Sequence, residues 1–503
     1  MPKRRRSEDD IGKQPAPAKR SRTGSKRNLL DISDEILLRI LSFLPIKDLL
    51  KTECVSRRLN SLATDRGIWK VKYMQTWVRP RSRRIPSAGP GRQDHSVDWK
   101  SQFRIKSNWA KGQAKVKEVE VARPPAPPVI AKVHRGMIYT VDPATGLRVW
   151  SQRDVMKTPR AQIWLHATSA ATCMAVETID DTAYISLGFD DGSLAIYLYN
   201  YRGQFEHRFS HQSADGPLVA ISLAFPYVMT VSRTKYLSLY QWDLRGIRAG
   251  DATHISTIAR LQSDASFAPV SVSLRHAPSQ VIATIAYAFS RFQSGWCIGL
   301  QEIRLSTAGR LVDSRLASTI GPPYTGWSKG DMTTRSTSSL PLPLHPQLMK
   351  PPTSLSYQHP FLIGTLADNT IISFLVTSND EKLEISAARR LWGHTSAVSG
   401  AEVNNRGKAV SISSRGDEMR VWDLEPVMTA ESQPRASTRI TAVDALPGSA
   451  GLLARRGPGL QSALGEVRRE LELIRQWVGF DDEQVVVLGE RDQRQIMALY
   501  DFT

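Results

Sequence analysis

The sequence predicts a multidomain protein in which a small all-α domain is followed by a mainly-β propeller of seven blades. Three observations lead to this fold class. Short helical patterns crowd into residues 28–75, and short runs of β-branched and aromatic residues fill the chain after the proline-rich break at Pro124–Pro128. Aromatic residues that end such runs recur at a period of about forty residues, which is typical of propeller blades.

The composition is that of a folded protein without a membrane span or a secretory signal. Of the 503 residues, 41% are hydrophobic and 23% are charged, close to the averages for globular proteins. No stretch approaches the apolar length that crosses a bilayer, and no apolar segment follows the basic N-terminus, so we expect the protein to stay inside the cell. Cys54, Cys173 and Cys297 lie far apart, which argues against a disulfide framework or a zinc site.

The net charge of +19 is concentrated in two segments. Residues 1–27 carry about +7 and residues 66–117 about +12, whereas residues 118–503 carry only about +1. Because residues 1–27 contain almost no apolar side chains, we expect a disordered basic tail there. The nearly neutral C-terminal part has little electrostatic attraction for a phosphate backbone.

The basic tail contains two cationic clusters separated by a spacer, an arrangement similar to a bipartite nuclear import signal. The clusters consist of Arg5, Arg6, Lys19, Arg20 and Arg22. This signal predicts that the protein is located in the nucleus, the cytoplasm or both. The alternative is a solvated basic tail, or one that touches nucleic acid weakly.

Residues 28–75 contain three short helical patterns. In the first, helical spacing relates Ile36, Leu37, Ile40, Leu41 and Leu44. Ser33 is a suitable N-cap, and Pro45 ends the helix because the residue before a proline disfavours the α-helical conformation. A second helix is predicted around residues 47–52 and a third after a cap at Ser56. Three such helices hold only a small core, which suggests that their remaining apolar surface belongs to a partner.

This segment resembles the F-box motif over nearly its whole length. The matching residues are Ile32, Asp34-Glu35-Ile36, Ile40-Leu41, Phe43-Leu44-Pro45, Asp48-Leu49-Leu50, Val55-Ser56-Arg57 and Ile68-Trp69-Lys70. Two positions depart from the motif. Ser33 stands where the motif usually has proline, and Leu59 stands where it usually has an aromatic residue.

The resemblance implies that residues 28–75 form an F-box that docks on a Skp-family adaptor and, through it, on a cullin. The residues it implies for the adaptor contact are Ile32, Ile36, Leu37, Ile40, Leu41, Leu44, Pro45, Leu49, Val55 and Trp69. The alternative is a generic helical hairpin that packs on the rest of the chain.

Residues 76–122 are predicted to form a linker that contains one helix. Residues 79–95 are dense in Arg, Pro, Gly and Ser and predict a flexible loop. Residues 97–109 place Trp99 and Phe103 on one face of a helix. This helix resembles the connecting helix of F-box proteins with WD repeats, which implies that it keeps a fixed spacing.

Residues 123–503 are predicted to form the propeller. Its clearest unit runs from Gly393-His394 to Trp422-Asp423 and resembles a WD repeat. Asp191 and Asp368 precede the final aromatic residue of two further units, and the resemblance implies that such an aspartate hydrogen-bonds a histidine within its blade. In the clearest unit, the aligned position holds Gly416 and Asp417 follows it.

Seven groups of strands are predicted, one for each blade. They lie near residues 133–150, 184–199, 219–244, 280–305, 355–376, 393–424 and 484–503. Insertions are predicted near residues 306–352, which are rich in Pro, Ser and Thr, and near 426–482, where Leu464–Trp477 has a helical pattern. The last strand of the chain fits a ring that closes by pairing the end of the chain with the start of the propeller.

No motif for catalysis or metal binding stands above chance in the sequence. There is no Cys-x-x-Cys pair, phosphate-binding loop or nucleophile elbow. His394 is better explained as a turn residue of a repeat than as a metal ligand. We therefore expect no enzymatic activity, no metal and no cofactor.

A substrate is expected to bind on one rim of the propeller or in its central channel, because binding residues concentrate on loops carried by a rigid scaffold. Arg233 and Arg415 lie in predicted turns between strands, where arginine is suited to pair with a phosphorylated substrate. The alternative is that both are solvated surface arginines.

Two hypotheses about function follow from this organisation. The first is the substrate-recognition subunit of an SCF-type E3 ubiquitin ligase, which presents a target protein for ubiquitination and proteasomal degradation and has no active site of its own. The second is a non-catalytic WD-repeat scaffold or chromatin-associated protein whose basic tail and linker bind nucleic acid. The neutral propeller and the helical motif favour the first.

Overall fold

The computed structural model describes two compact units, Met1–Phe103 and Arg104–Thr503. The described residues are 32–78, 97–122, 129–152, 158–165, 169–200, 202–242, 255–262, 267–277, 280–291, 295–306, 310–319, 350–414, 418–425, 437–442, 474–491 and 494–503. The predicted import signal and Arg415 lie outside these residues. No helix in the described parts of the chain combines the length and the apolar composition needed to cross a bilayer.

The first unit is all-α, as the sequence predicts. Its helices are α1 Asp34–Phe43, α2 Ile46–Glu53, α3 Arg57–Ala63, α4 Arg66–Tyr73, a π-helical turn Met74–Val78 and the start of α5 Trp99–Lys111. The side chain of Ser56 accepts a hydrogen bond from the Leu59 N–H and caps α3. Ser33 precedes α1 in an extended conformation, but its side chain makes no capping hydrogen bond.

The core of this unit is completed by aromatic residues from α5. Its buried members are Leu37, Leu41, Leu49, Leu62, Ala63, Ile68, Trp69, Trp99 and Phe103. The rings of Trp69 and Phe103 meet edge to face at 5.7 Å, and the indole Nε1 of Trp69 donates to the Ala63 carbonyl at 2.8 Å. The chain itself therefore covers part of the apolar surface that the three short helices leave open.

The second unit is a seven-bladed propeller, as predicted. The strands of each blade pair antiparallel, except that the short β27 pairs parallel with β1 in blade 7. Blade 1 consists of β2 Ile130–His134, β3 Met137–Asp142, β4 Gly146–Ser151 and β5 Ala161–Ile163. Blade 2 consists of β6 Ala171–Ile179, β7 Thr182–Phe189, β8 Ser193–Tyr199 and β9 Phe205–Gln212. Blade 3 consists of β10 Leu218–Ala224, β11 Tyr227–Ser232, β12 Tyr236–Trp242 and β13 Ile255–Gln262.

Blades 4 to 6 continue the same pattern along the chain. Blade 4 consists of β14 Phe267–Ala277, β15 Gln280–Arg291, β16 Gly295–Ser306 and β17 Leu311–Ser318. Blade 5 consists of β18 Ser354–Gln358, β19 Phe361–Thr365, β20 Ile371–Ser378, β21 Leu383–Ile385 and β22 Arg389–Leu391. Blade 6 consists of β23 Val398–Val403, β24 Lys408–Ser413, β25 Met419–Asp423 and β26 Ser437–Arg439. β17 lies within the range predicted as the first insertion, so part of that range belongs to blade 4.

Blade 7 joins the two ends of the propeller sequence. It consists of β28 Ile474–Phe480, β29 Gln484–Arg491, β30 Arg494–Asp501 and β1 Gln113–Ala122, with the short β27 Thr441–Ala442 beside β1. The last strand pairs antiparallel with β1, where Lys115 lies opposite Asp501. The ring therefore closes by pairing its last strand with its first. This closure is favourable because it leaves fewer backbone groups unpaired at a strand edge.

Two predicted boundaries are wrong in blade 7. The propeller begins at residue 113 rather than 123, because β1 pairs with β30 as an outer strand of the blade. The prediction missed this strand because its valines are interspersed with Lys and Glu, which give it the charge of a linker. The predicted helix Leu464–Trp477 is contradicted at its end, where Trp477 lies in strand β28. That strand pairs with β29, and the pairing decides its conformation over local helical preference.

Seven apolar clusters, counted over the described residues, hold the blades together, with one at each interface between neighbouring blades. The innermost strands β2, β6, β10, β14, β18, β23 and β28 contact one another in a closed order. Each blade therefore buries both faces of its sheet against its neighbours. This explains why most central strands are apolar on both faces instead of alternating with polar residues.

Blade 6 contains the polar network that its resemblance to a WD repeat suggested, with one substitution. The indole of Trp422 donates to the Ser411 hydroxyl at 2.7 Å, which also contacts His394 Nε2 at 2.6 Å. Glu418 lies 3.4 Å from the other ring nitrogen of His394. Glutamate therefore supplies the carboxylate that the sequence left unassigned, since its longer side chain reaches back from a later position.

The turn aspartates of two other blades bond other residues than histidine in the part of the chain that the structure describes. Asp191 accepts hydrogen bonds from the Ser193 N–H and the Ser169 hydroxyl. Asp368 accepts from the Thr370 N–H and lies 3.3 Å from Arg390. Serine, threonine and arginine supply the donors that the described residues show in these blades. His166, which precedes β6, lies outside the described residues, so the aspartate–histidine contact in blade 2 stays a prediction.

A buried glutamate cross-links blades 4 and 5. Glu302 is fully buried and accepts from Arg304 at 2.9 Å, Arg315 at 2.7 Å and Ser378 of blade 5 at 2.6 Å, and Arg275 lies 3.6 Å away. Burial alone would raise the pKa of Glu302, but the hydrogen bonds from Ser378, Arg315 and Arg304 outweigh it and hold the pKa below its usual value.

We expect Glu302→Gln to destabilise the propeller by about 3–5 kcal/mol, because it removes the buried carboxylate that Arg304 and Arg315 share and leaves them only the more exposed Asp380 and Asp313. The lowered pKa means that the native ion pairs stabilise the fold at pH values above the ordinary glutamate pKa and are lost as pH falls through the native value. Urea unfolding of both proteins at neutral and acidic pH measures this. The two curves should converge in acid, while Glu384→Gln, which breaks only an exposed pair with Lys382, should change little.

Candidate functional site

The first unit exposes a set of large apolar side chains on one helix and its neighbours. On α1, Ile36, Ile40 and Phe43 lie at helical spacing and are 55%, 42% and 71% exposed. Leu50 on α2 and Val55 after it are exposed as well. We call these five residues the apolar face. Exposed apolar surface of this kind marks a site of protein binding.

The residues predicted for the adaptor contact divide into a buried and an accessible group. Leu37, Leu41, Leu49 and Trp69 are buried in the core of the unit and hold its helices together. Ile32 and Leu44 are half-buried, while Ile36, Ile40, Pro45 and Val55 are exposed. The four buried side chains are not available on the surface of this unit. The adaptor contact itself stays a prediction for all ten residues.

Phe43 and Leu50 were not among the predicted contact residues, although they belong to the apolar face. The signal that identifies Phe43 is its spacing of seven residues from Ile36, which places both on one side of α1. A second apolar stripe, which includes Leu37 and Leu41, runs beside it on the same helix. Spacing alone does not tell which of the two stripes faces the core.

Polar contacts fix the start of α1 beside the apolar face. Arg58 donates to Asp34 at 2.6 Å and to the Ile32 carbonyl at 2.8 Å. Hydrogen bonds from the backbone and from Ser33 lower the pKa of Glu35. Both carboxylates lie in the first turn, where the helix dipole favours negative charge. At the other end of the helix, the Arg39 guanidinium lies 4.9 Å from the centre of the Phe43 ring.

The propeller carries one of the two predicted substrate-binding arginines among the described residues. Arg233 is exposed in the turn between β11 and β12. In the described parts of the chain, no group of three or more His, Cys, Asp or Glu residues is placed to hold a metal ion. Cys54 is exposed, and burial raises the pKa of the Cys173 thiol to about 12.

Comparisons with known proteins agree with both units. Residues 34–75 match the family described as F-box-like. Residues 114–503 match the family described as F-box protein pof12 beta-propeller. The chain belongs to this F-box protein family. An F-box joined to a propeller is typical of adaptor and receptor proteins, and an F-box in general implies binding to adaptors of the Skp family.

Three solved structures resemble the propeller of this F-box protein. A structure of U3-55K is 9% identical with a TM-score of 0.45, over 77% of this chain and 98% of that chain. The WD40 beta propeller domain of Doa1 is 12% identical with a TM-score of 0.40, over 77% and 96%. The RRP9 WD40 repeats are 10% identical with a TM-score of 0.42, over 77% and 97%. Similarities of this size carry no functional information.

Proposed function

We propose that this F-box protein is the substrate-recognition subunit of an SCF-type ubiquitin ligase. Its F-box docks on a Skp-family adaptor and through it on a cullin, and its propeller holds a target protein for ubiquitination and degradation. The observation that carries the proposal is the apolar face of Ile36, Ile40, Phe43, Leu50 and Val55 on the F-box unit.

The apolar face has the chemistry of a protein interface, because all five of its side chains are large or branched, apolar and exposed. Burying one large aliphatic or aromatic side chain contributes about 1.5–3 kcal/mol, so five of them offset much of the entropy lost on association. A folded unit gains no stability from leaving five such side chains in water. A partner that covers them removes this exposure and gains affinity.

The receptor role follows from division of labour within such a ligase. The adaptor and cullin position the transferring enzyme, and the receptor contributes proximity by holding a target lysine close to the activated ubiquitin. A propeller suits this role because its rigid blades carry many turns on which binding residues are displayed.

A nucleic-acid-binding scaffold is the second candidate function. The charge of about +7 on residues 1–27 and about +12 on residues 66–117 supports it. Under this hypothesis, binding to nucleic acid weakens steeply as salt is raised and is lost when residues 1–27 and 79–117 are removed. For either role we propose the nucleus, the cytoplasm or both as the compartment, on the basis of the basic clusters at Arg5-Arg6 and Lys19-Arg20.

The test is capture of the adaptor and the cullin by the full-length protein. We expect the tagged protein to retain both from purified components, and the cullin only when the adaptor is present. Binding of neither would remove the basis of the ligase hypothesis and leave the scaffold as the leading candidate. Binding of the adaptor without the cullin would restrict the F-box to a role outside ubiquitination.

A further inference from the structure

A cavity of about 320 Å³ lies between blades 1 and 2 of the propeller. Side chains of mixed chemistry line it, and those that bear on its function are His134, Arg135, Arg160, Asp181, Tyr199 and Asn200. A concave site with a few convergent polar groups and aromatic walls is typical of ligand binding.

Turns from both blades surround the cavity on one rim of the propeller. Arg135 lies in the turn between β2 and β3, and Asp181 lies in the corresponding turn between β6 and β7. Asn200 begins the turn between β8 and β9. Because strands alternate in direction, the first and third turns of a blade lie at the same end of its sheet. The turn of Arg233, between the second and third strands of blade 3, lies on the opposite rim.

The two turns at the cavity hold residues in an unfavourable backbone conformation. Arg135 has φ 48°, and Asp180 and Asp181 have φ 45° and 62°. They are three of the five residues other than glycine with positive φ in the described parts of the chain. This conformation costs a side chain about 1–2 kcal/mol, which glycine avoids. Both turns are two-residue hairpin loops, whose favoured geometry requires positive φ at both central residues. This geometry places the side chains of Arg135 and Asp181 at the cavity.

The arginines of the cavity pair with no carboxylate among the residues that the structure describes. Arg135 and Arg160 are both exposed, and neither forms an ion pair with any residue that the structure describes. Other arginines of the propeller are paired, such as Arg148 with Asp142 at 2.8 Å and Arg260 with Asp215. Two guanidinium groups at one cavity are therefore available for an anion.

His134 adds a polar atom that lacks a partner. Its Nε2 is buried and makes no hydrogen bond to any described residue. Burial, and then the charges of Arg135 and Lys132, lower the pKa of His134 to about 4, so that its ring is neutral at physiological pH. A neutral imidazole nitrogen can donate or accept a hydrogen bond. Buried polar atoms without partners are rare in folded proteins, and His134 is one of the residues that line the cavity.

We propose that this cavity binds the carboxylate at the C-terminal end of a substrate protein. Among the residues that line the cavity, Arg135 and Arg160 carry two positive charges and Asp181 carries one negative charge. The lining therefore has a net charge of +1, which a ligand with one negative charge neutralises. A chain-terminal carboxylate carries one charge, whereas a phosphate ester carries about 1.5–2. Asp181 and Asn200 offer acceptors for the last backbone N–H groups of the peptide, and Tyr199 offers an aromatic wall. The inference deepens the receptor role proposed above and rests on it.

Short random peptides in three forms test this proposal on the full-length protein. The forms are a free C-terminal carboxylate, a C-terminal amide, and a C-terminal amide with an internal phosphoserine. The peptides that the wild-type protein retains are then tested individually. Fluorescence anisotropy measures the affinity of each peptide for the wild type, for Arg135→Gly and for Lys235→Gly. Glycine suits the backbone at both positions, since Lys235 also has positive φ, 68°, and it lies on the opposite rim. Each variant thus removes one cation without straining its turn.

We expect free-carboxylate peptides to bind, with amidation and Arg135→Gly each weakening binding about tenfold or more and Lys235→Gly changing nothing. Retention of phosphoserine peptides alone would overturn the carboxylate assignment. Equal binding by wild type and Arg135→Gly would overturn the site. Adaptor capture is measured on the same proteins and separates the two proposals. If the protein captures the adaptor but binds no peptide, the result contradicts this inference and leaves the proposed function standing.

Discussion

We expect the double substitution Ile36→Asp and Phe43→Asp to abolish adaptor capture while leaving the F-box unit folded. Both side chains are more than half exposed on α1, so the free protein loses little packing. In the complex, each substitution removes about 1.5–3 kcal/mol of apolar burial and places a charge in an apolar interface. Affinity for the adaptor should fall by about a thousandfold or more.

Titration calorimetry against the purified adaptor measures this loss, and circular dichroism confirms that the helices remain. Val71→Asp is the matched control, because Val71 is an exposed apolar residue on α4 and not part of the apolar face. The control should bind the adaptor as the wild type does. Unchanged affinity in the double variant would show that the adaptor does not cover the apolar face.

We expect deletion of residues 494–503 to prevent stable folding of the propeller. The deleted strand β30 lies between β1 and β29 and closes the ring. Its buried side chains are Met497, Ala498, Leu499, Tyr500 and Phe502. The ring of Phe502 stacks on Trp109 at 3.9 Å. Losing this burial costs on the order of 10 kcal/mol, which is comparable to the whole stability of a typical domain.

Thermal unfolding and limited proteolysis measure the effect of this deletion. The truncated protein should lose the cooperative transition of the propeller and be cleaved at many sites. Phe502→Ala should give an intermediate loss of about 3–5 kcal/mol. Arg494→Ala removes only an exposed pair with Glu120 at 3.2 Å and should change stability by less than about 1 kcal/mol. A truncated protein that still melts cooperatively near the wild-type temperature would contradict closure by β30.

The sequence alone was sufficient where the signal is local. Helical spacing, the cap at Ser56 and the stop at Pro45 predicted the short helices of the F-box, and the structure confirms them. The β-rich texture, the recurring aromatic residues and the final strand predicted a closed seven-bladed propeller, which the structure also confirms. Each of these features depends on residues that are neighbours along the chain or on a repeat that the chain displays directly.

Charge and composition misled the prediction where long-range pairing decides the conformation. Strand β1 has the charge of a linker, and only its pairing with β30, almost four hundred residues later, makes it part of a blade. Trp477 follows a charged stretch with helical spacing, yet it lies in a strand paired with β29. Glu418 replaces the expected aspartate in blade 6 because distance in space, and not position in the turn, determines which carboxylate reaches His394.

The sequence by itself determined that this protein is an F-box followed by a propeller, because motif and repeat are written along the chain. Only the tertiary structure decided which of two apolar stripes on α1 is exposed, since both have the same spacing and packing against Trp69 and Phe103 selects the buried one. It also decided that Arg135 and Asp181 meet at one cavity. The physical reason is that spacing reports local geometry, whereas burial and convergence depend on contacts between distant segments.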